Sequence, residues 1–233
     1  MVLAVSTLLG CSKVGNGLRF QIRDNQASWM NGTVRFQADM DSKGKRQDYP
    51  GFQVYIKNLK GRIIHMPGSE ILGYGASCPM GSSGLYNYTD GFSQAELLIN
   101  TDDRMVVLLH HDPWTILDES VYFDKQITLF RDSPIMSVID YYKGSFEMLN
   151  VAAGLSSSDA VSVNRLEKGY SVEYSNGVTG IIIMPDLEEM RNNEAMSSVF
   201  VTKGVSFDEP LRYYVGLSDK GLGFLLEELD KIL

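Results

Sequence analysis

A chain of 233 residues and 26.0 kDa is long enough for one large domain or two small ones. Its 44% hydrophobic and 21% charged residues exclude a disordered or collagen-like polymer. Twenty-one Lys and Arg against 29 Asp and Glu leave a net charge of −8 and a pI near 4.9. Such a chain repels phosphate backbones, and with no basic run in the sequence no nucleic-acid partner is expected.

The first apolar stretch, residues 2–9, is too short to span a bilayer as a helix. It closes on Leu8-Leu9-Gly10-Cys11, the shape of a bacterial lipoprotein box in which a small residue precedes the cysteine that takes lipid. No charged segment precedes it, so a true start a few residues upstream is expected. Residues 1–11 therefore read as a signal segment with Cys11 as the lipidation site, and residues 12–233 as a single β-sandwich domain. That reading implies export, to the periplasm or to an outer-membrane-anchored lipoprotein, with membrane contact through the lipid alone. The plainer alternative is an N-terminal strand with a buried free cysteine. Lipid on Cys11 leaves Cys78 without a partner in the chain, and pairing of Cys11 with Cys78 stays open.

Alternation of apolar and polar residues then dominates. Residues 18–23, 33–39 and 51–57 alternate as half-buried strands do. Further strands are expected at 95–99, 105–109, 120–130, 135–142, 148–153, 160–165, 170–174, 179–184, 197–202 and 211–216. Turn signals such as Lys143-Gly144, Ser175-Asn176-Gly177 and Asp208-Glu209-Pro210 separate them. Residues 68–91, rich in Gly, Ser and Tyr without a period, read as a long structured loop. Residues 186–193 suggest a short helical turn. Leu222, Leu225, Leu226, Leu229 and Leu233 have the spacing of an amphipathic helix. The fold class is all-β, two antiparallel sheets face to face with a C-terminal helix.

Phosphate-binding glycine loops, a dinucleotide fingerprint, a Gly-x-Ser-x-Gly elbow and a Cys-x-x-Cys pair are all absent, and no cofactor or metal is expected. Chemistry-bearing residues concentrate in His110-His111-Asp112-Pro113-Trp114, where Pro113 is expected to break the strand. In the catalytic reading His110 or His111 is general acid or base, Asp112 orients it, and Trp114 stacks on a sugar ring. In the structural reading this is a polar strand end with one His in a turn. Trp29, Tyr86 and Tyr88 are candidate sugar-stacking rings, although Trp29 suits a core equally well. His65 reads as structural.

Four segments carry a resemblance. They are Trp29-Met30-Asn31-Gly32 leading into residues 33–39, residues 73–81, residues 125–129 with 151–155, and Arg212-Tyr213-Tyr214-Val215-Gly216. Together they resemble a bacterial domain family of unknown function, found in secreted proteins and lipoproteins encoded beside polysaccharide-degrading enzymes. Met30 and Gly32 stand where that family has acidic residues, and Gln37 where it has arginine. The resemblance implies a supersandwich similar to that of galactose mutarotases, and an oligosaccharide or polysaccharide partner.

Three functions follow as expectations, the last of them a structural or assembly protein with no glycan ligand. One is a carbohydrate-active enzyme of a polysaccharide-degrading system, a lyase, epimerase or hydrolase-associated protein working by proton transfer. The alternative is a non-catalytic glycan-binding lipoprotein, toward which the missing acidic residues lean. Whether the chain is an enzyme stays open at this point.

Overall fold

The computed structural model describes residues 17–40, 51–58, 60–66, 72–81, 84–86, 91–116, 118–193, 197–206 and 208–233. Cys11 and Tyr88 lie outside the described residues. In chain order the strands are β1 (Arg19–Arg23), β2 (Gln26–Met30), β3 (Val34–Asp39), β4 (Gln53–Lys57), β5 (Ile63–Met66), β6 (Ala76–Gly81), β7 (Gly84–Leu85), β8 (Gln94–Asn100) and β9 (Arg104–Ile116). There follow β10 (Glu119–Phe130), β11 (Ile135–Lys143), β12 (Leu149–Ser156), β13 (Ala160–Leu166), β14 (Gly169–Tyr174) and β15 (Thr179–Ile183). Last come β16 (Glu189–Asn193), β17 (Ser198–Val205), β18 (Leu211–Ser218) and the helix α1 (Leu222–Asp230).

The protein is an all-β sandwich with one C-terminal helix. An eight-stranded sheet, ordered β13-β14-β15-β18-β11-β10-β9-β8, is accompanied by two five-stranded sheets rather than by one large one. The first of these is a meander, β1-β2-β3-β4-β5, and the other is ordered β16-β17-β12-β6-β7. A lone bridge between Phe52 and Tyr74 joins the two small sheets. One continuous core takes Trp29 and Phe36 from the first sheet, Phe123, Val138 and Tyr213 from the large sheet, and Val151 and Val201 from the third.

Local sequence explains the tightest connections. Asp24 and Asn25 both take positive φ, 51° and 59°, as the two-residue turn between β1 and β2 demands of its central residues. Asn31 is 9% exposed and clasps the large sheet, its Nδ2 donating to the carbonyls of Phe130 at 2.8 Å and Ser133 at 2.7 Å. Its Oδ1 accepts from the backbone of Thr33 and Val34, so every polar atom of this amide has a partner.

Four expectations need correction. The glycine-rich stretch 68–91 is not one long loop, since its described part supplies β6, whose first four residues are buried and which pairs with β12. Small residues at Ala76, Ser77 and Cys78 hide the period-2 signal, because both faces of this strand are covered. Residues 189–193 form the edge strand β16 instead of a helical turn, held by its ladder to β17. Pro113 does not end its strand, because β9 runs on to Ile116 past a bulge opposite Val121 and Phe123. In α1 it is Leu225 and Leu229 that are buried, against Ile135, Ile181 and Ile183, while Leu226 is half-buried and Leu233 exposed. Gly216 permits that docking, since a Cβ there would meet Leu225 at 3.2 Å and Ile135 at 2.7 Å.

Candidate functional site

Neighbouring residues of a strand face opposite sides, and this separates the two histidines of β9. His111 points inward and is 6% exposed. Its ring lies 5.1 Å from Trp114, 6.0 Å from Phe92 and 6.3 Å from Phe123, and its Nδ1 donates to the Asp112 carbonyl. The ring thus sits in an aromatic cluster of the core, which holds Trp114 in the same packing.

His110 points outward, in a cross-strand row with Gln94 on β8, Asp124 on β10 and Tyr141 on β11. Its Nδ1 lies 2.8 Å from Asp124 Oδ1, and a carboxylate only accepts, so the ring nitrogen donates. Asp124 Oδ2 in turn accepts from Lys143 Nζ at 3.3 Å. Glu96 Oε1 stands 3.7 Å from His110 Nε2, near enough for attraction but beyond a hydrogen bond. Tyr122, 53% exposed, sits opposite Lys143 on the same face. The patch therefore combines an imidazole, two carboxylates, an ammonium and an open phenol ring on the outer side of β8 to β11.

The carboxylate that orients a histidine is thus Asp124, fourteen positions from His110, and not the adjacent Asp112, whose residue is exposed. Trp29, a candidate stacking ring, faces the core. It is fully buried, edge-on to Phe52 at 4.7 Å and stacked with Phe36 at 6.2 Å. Tyr86 is half-buried and packs over Gly81, where a Cβ would stand 2.6 Å from its ring. Cavities of about 460 Å³, between Arg131 and Glu228, and about 230 Å³, between Lys57 and Phe224, lie elsewhere, and neither includes His110.

A second polar cluster lies inside the sandwich. Lys125 Nζ, on a side chain with no exposure, donates to Asp140 Oδ1 at 2.7 Å, Tyr213 OH at 2.7 Å and the Gly75 carbonyl at 3.2 Å. Ser77 donates to Asp140 and lies 2.8 Å from Tyr142 OH, tying β6 to the large sheet. The ammonium also sits 5.2 Å from the Phe123 ring centre and 5.3 Å from that of Tyr213. Burial pulls the pKa of Lys125 down while the charge of Asp140 opposes the shift. Burial, and then Asp140, push the Tyr213 phenol well up. These buried contacts join the strand β6 and Gly75 before it to β10, β11 and β18 of the large sheet. A sequence signal for it exists: Lys125 occupies an inward position in the alternation Val121, Phe123, Ile127, Leu129, as Asp140 does between Val138 and Tyr142.

Among the described residues no group of three or more metal-ligating side chains comes together, and no helix is long and apolar enough to cross a membrane. No family model and no curated protein matches the chain. Two solved structures are similar in fold. A crystal structure of active YidC insertase with its first transmembrane domain resolved superimposes with a TM-score of 0.54 at 10% identity, over 87% of this chain and 41% of that one. A crystal structure of YidC from Thermotoga maritima gives a TM-score of 0.50 at 11% identity, over 87% of this chain and 51% of that one. The chain spans about half or less of the length of either, and identities this low show a shared fold alone.

Proposed function

We propose that this protein is a non-catalytic glycan-binding domain of a polysaccharide-degrading system, with the outer face of β8 to β11 as a contact surface. The observation that carries the reading is the row Gln94–His110–Asp124–Tyr141 with Tyr122 and Lys143 beside it. A sugar ring offers an apolar C–H face, which suits the open phenol of Tyr122, and a rim of hydroxyls, which suit the planar polar groups of the row. An open sheet face accommodates a chain of sugars without enclosing a reaction. Export with lipid on Cys11 accompanies this reading, and Cys11→Ser should release the protein from membranes when it is expressed with its native upstream region.

One observation favours a catalytic reading. Asp124 fixes the Nδ1 proton of His110, so Nε2 of the neutral ring, on a side chain 29% exposed, holds a lone pair suited to a general base. In that case Asp124 takes the orienting role expected of Asp112.

Titration calorimetry against a panel of neutral and acidic oligosaccharides, with chromatography of the same mixtures, tests both. Binding should weaken several-fold in Tyr122→Ala, with no product formed by any variant. Product from the wild type that falls about 10²–10⁴-fold in His110→Ala would replace the binding reading with the catalytic one. Neither heat nor product across the panel would remove both.

A further inference from the structure

The acidity of this protein is unevenly distributed. Between Gly17 and Met66 the chain carries nine Lys and Arg (Arg19, Arg23, Arg35, Lys43, Lys45, Arg46, Lys57, Lys60, Arg62) against four Asp and no Glu, although the whole chain is at −8. Apart from Lys43, Lys45 and Arg46, the linear sequence disperses these cations. The meander of β1 to β5 gathers several on one side.

The strand registers place Arg19, Met30, Arg35, Tyr55 and His65 in one row across all five strands. A second row holds Gln21, Ser28, Gln37 and Gln53. The opposite face carries Trp29, Phe36, Val54 and Ile56, all buried in the core, so both rows point outward. The row residues are half-buried or exposed, and among the described residues no ion pair engages Arg19 or Arg35.

The row is also stacked in advance. The Arg35 guanidinium carbon lies 3.9 Å from the Tyr55 ring centre, and the Tyr55 and His65 rings stack at 4.6 Å and 13°. Tyr55 OH and His65 Nε2 both donate to Gln53 Oε1, at 3.2 and 3.3 Å. Arg35 Nε is buried with no hydrogen-bond partner. A guanidinium held flat on a ring has little side-chain freedom left to lose and keeps its fork for a carboxylate. Neither row contains a carboxylate; Asp39, in the next row with Arg23 and Gln26, is engaged by Gln26 Nε2 at 3.1 Å.

We propose that this outer face of the first sheet binds a carboxylated oligosaccharide, a uronic-acid chain lying across the strands with its carboxylates on Arg35 and Arg19. The inference rests on the glycan reading above and names the class of sugar. Arg19 and Arg35 are two strands apart, about 9–10 Å at the usual ~4.8 Å spacing, a step on the scale of a disaccharide. Alongside them, two positions along each strand, the amides of the second row both donate and accept, as hydroxyls require. A lipid surface fits less well, because apart from Met30 and the rim residue Ile63 this face offers nothing apolar to insert. The net charge of −8 does not forbid an acidic ligand, since charges beyond about 8 Å are largely screened at physiological salt.

Titration calorimetry of the full chain compares an oligogalacturonate with its fully methyl-esterified, neutral counterpart. The acid should bind at least tenfold more tightly than the ester and lose affinity as salt rises. Arg35→Ala and Arg19→Ala should each cost about tenfold, and Arg35→Lys, which keeps the charge and tests the case in which the alanine variant fails to fold, should also weaken binding. Val161→Ala, at an exposed position of β13 outside both surfaces, should leave affinity for the acid unchanged. Equal affinity for acid and ester, or a loss in Tyr122→Ala but in neither arginine variant, overturns this site and leaves glycan binding standing. Binding of phosphatidylglycerol vesicles or of an oligonucleotide without binding of the oligogalacturonate also overturns it. Silence across the whole oligosaccharide panel overturns the glycan reading itself.

Discussion

Lys125 and Asp140 stand directly opposite each other on β10 and β11, both without exposure, with Nζ and Oδ1 2.7 Å apart. Removing one partner strands the other charge in the core, which is why single substitutions at buried pairs cost more than the pair itself contributes. Asp140→Leu alone should destabilise by about 3–5 kcal/mol. The double variant Lys125→Met with Asp140→Leu should recover part of that loss. Chemical denaturation of the four proteins of the cycle checks this, and strictly additive losses would mean that the pair is not coupled.

Asn31 makes an equivalent prediction for the contact between the first and large sheets. Its truncation leaves the carbonyls of Phe130 and Ser133, and the amides of Thr33 and Val34, without their side-chain partner. Asn31→Ala should cost about 1–3 kcal/mol, seen as a lower denaturation midpoint at an unchanged denaturant slope.

Helix docking resolves into individual leucines. Leu225 is fully buried between Ile135 and Ile181, so Leu225→Ala should cost about 2–5 kcal/mol. Leu226, half-buried, should cost distinctly less. Equal losses from parallel melts of the two variants would contradict the orientation of α1.

His65 carries a pH prediction. Burial first, and the charge of Arg35 second, hold its pKa below the ordinary 6.5. A base with a lowered folded-state pKa takes up its proton more readily when unfolded. Its contribution to stability is therefore intact above pH 6.5 and is lost as pH falls from there toward the folded value. Arg35→Gln should raise the His65 pKa toward 6.5, as read by NMR titration of the ring protons. An unchanged value would mean that Arg35 does not act on the imidazole.

What the sequence determined by itself is what local periodicity can carry. Alternation through Val121, Phe123, Ile127 and Leu129 specifies a strand with one buried face, and repetition of that pattern along the chain specifies an all-β sandwich. The leucine spacing after Gly221 specifies a helix in the same way. Only the tertiary structure decided which residues from distant strands meet. Closeness in sequence did not pair His110 with Asp112; strand register set His110 against Asp124, fourteen positions away. Register likewise closed the ion pair of Lys125 with Asp140 and aligned Arg19, Arg35 and His65 across three strands of the first sheet. It also turned Trp29 into the core. Strand pairing fixes these choices through hydrogen bonds and packing between segments far apart in the chain, and no window of local sequence contains both partners.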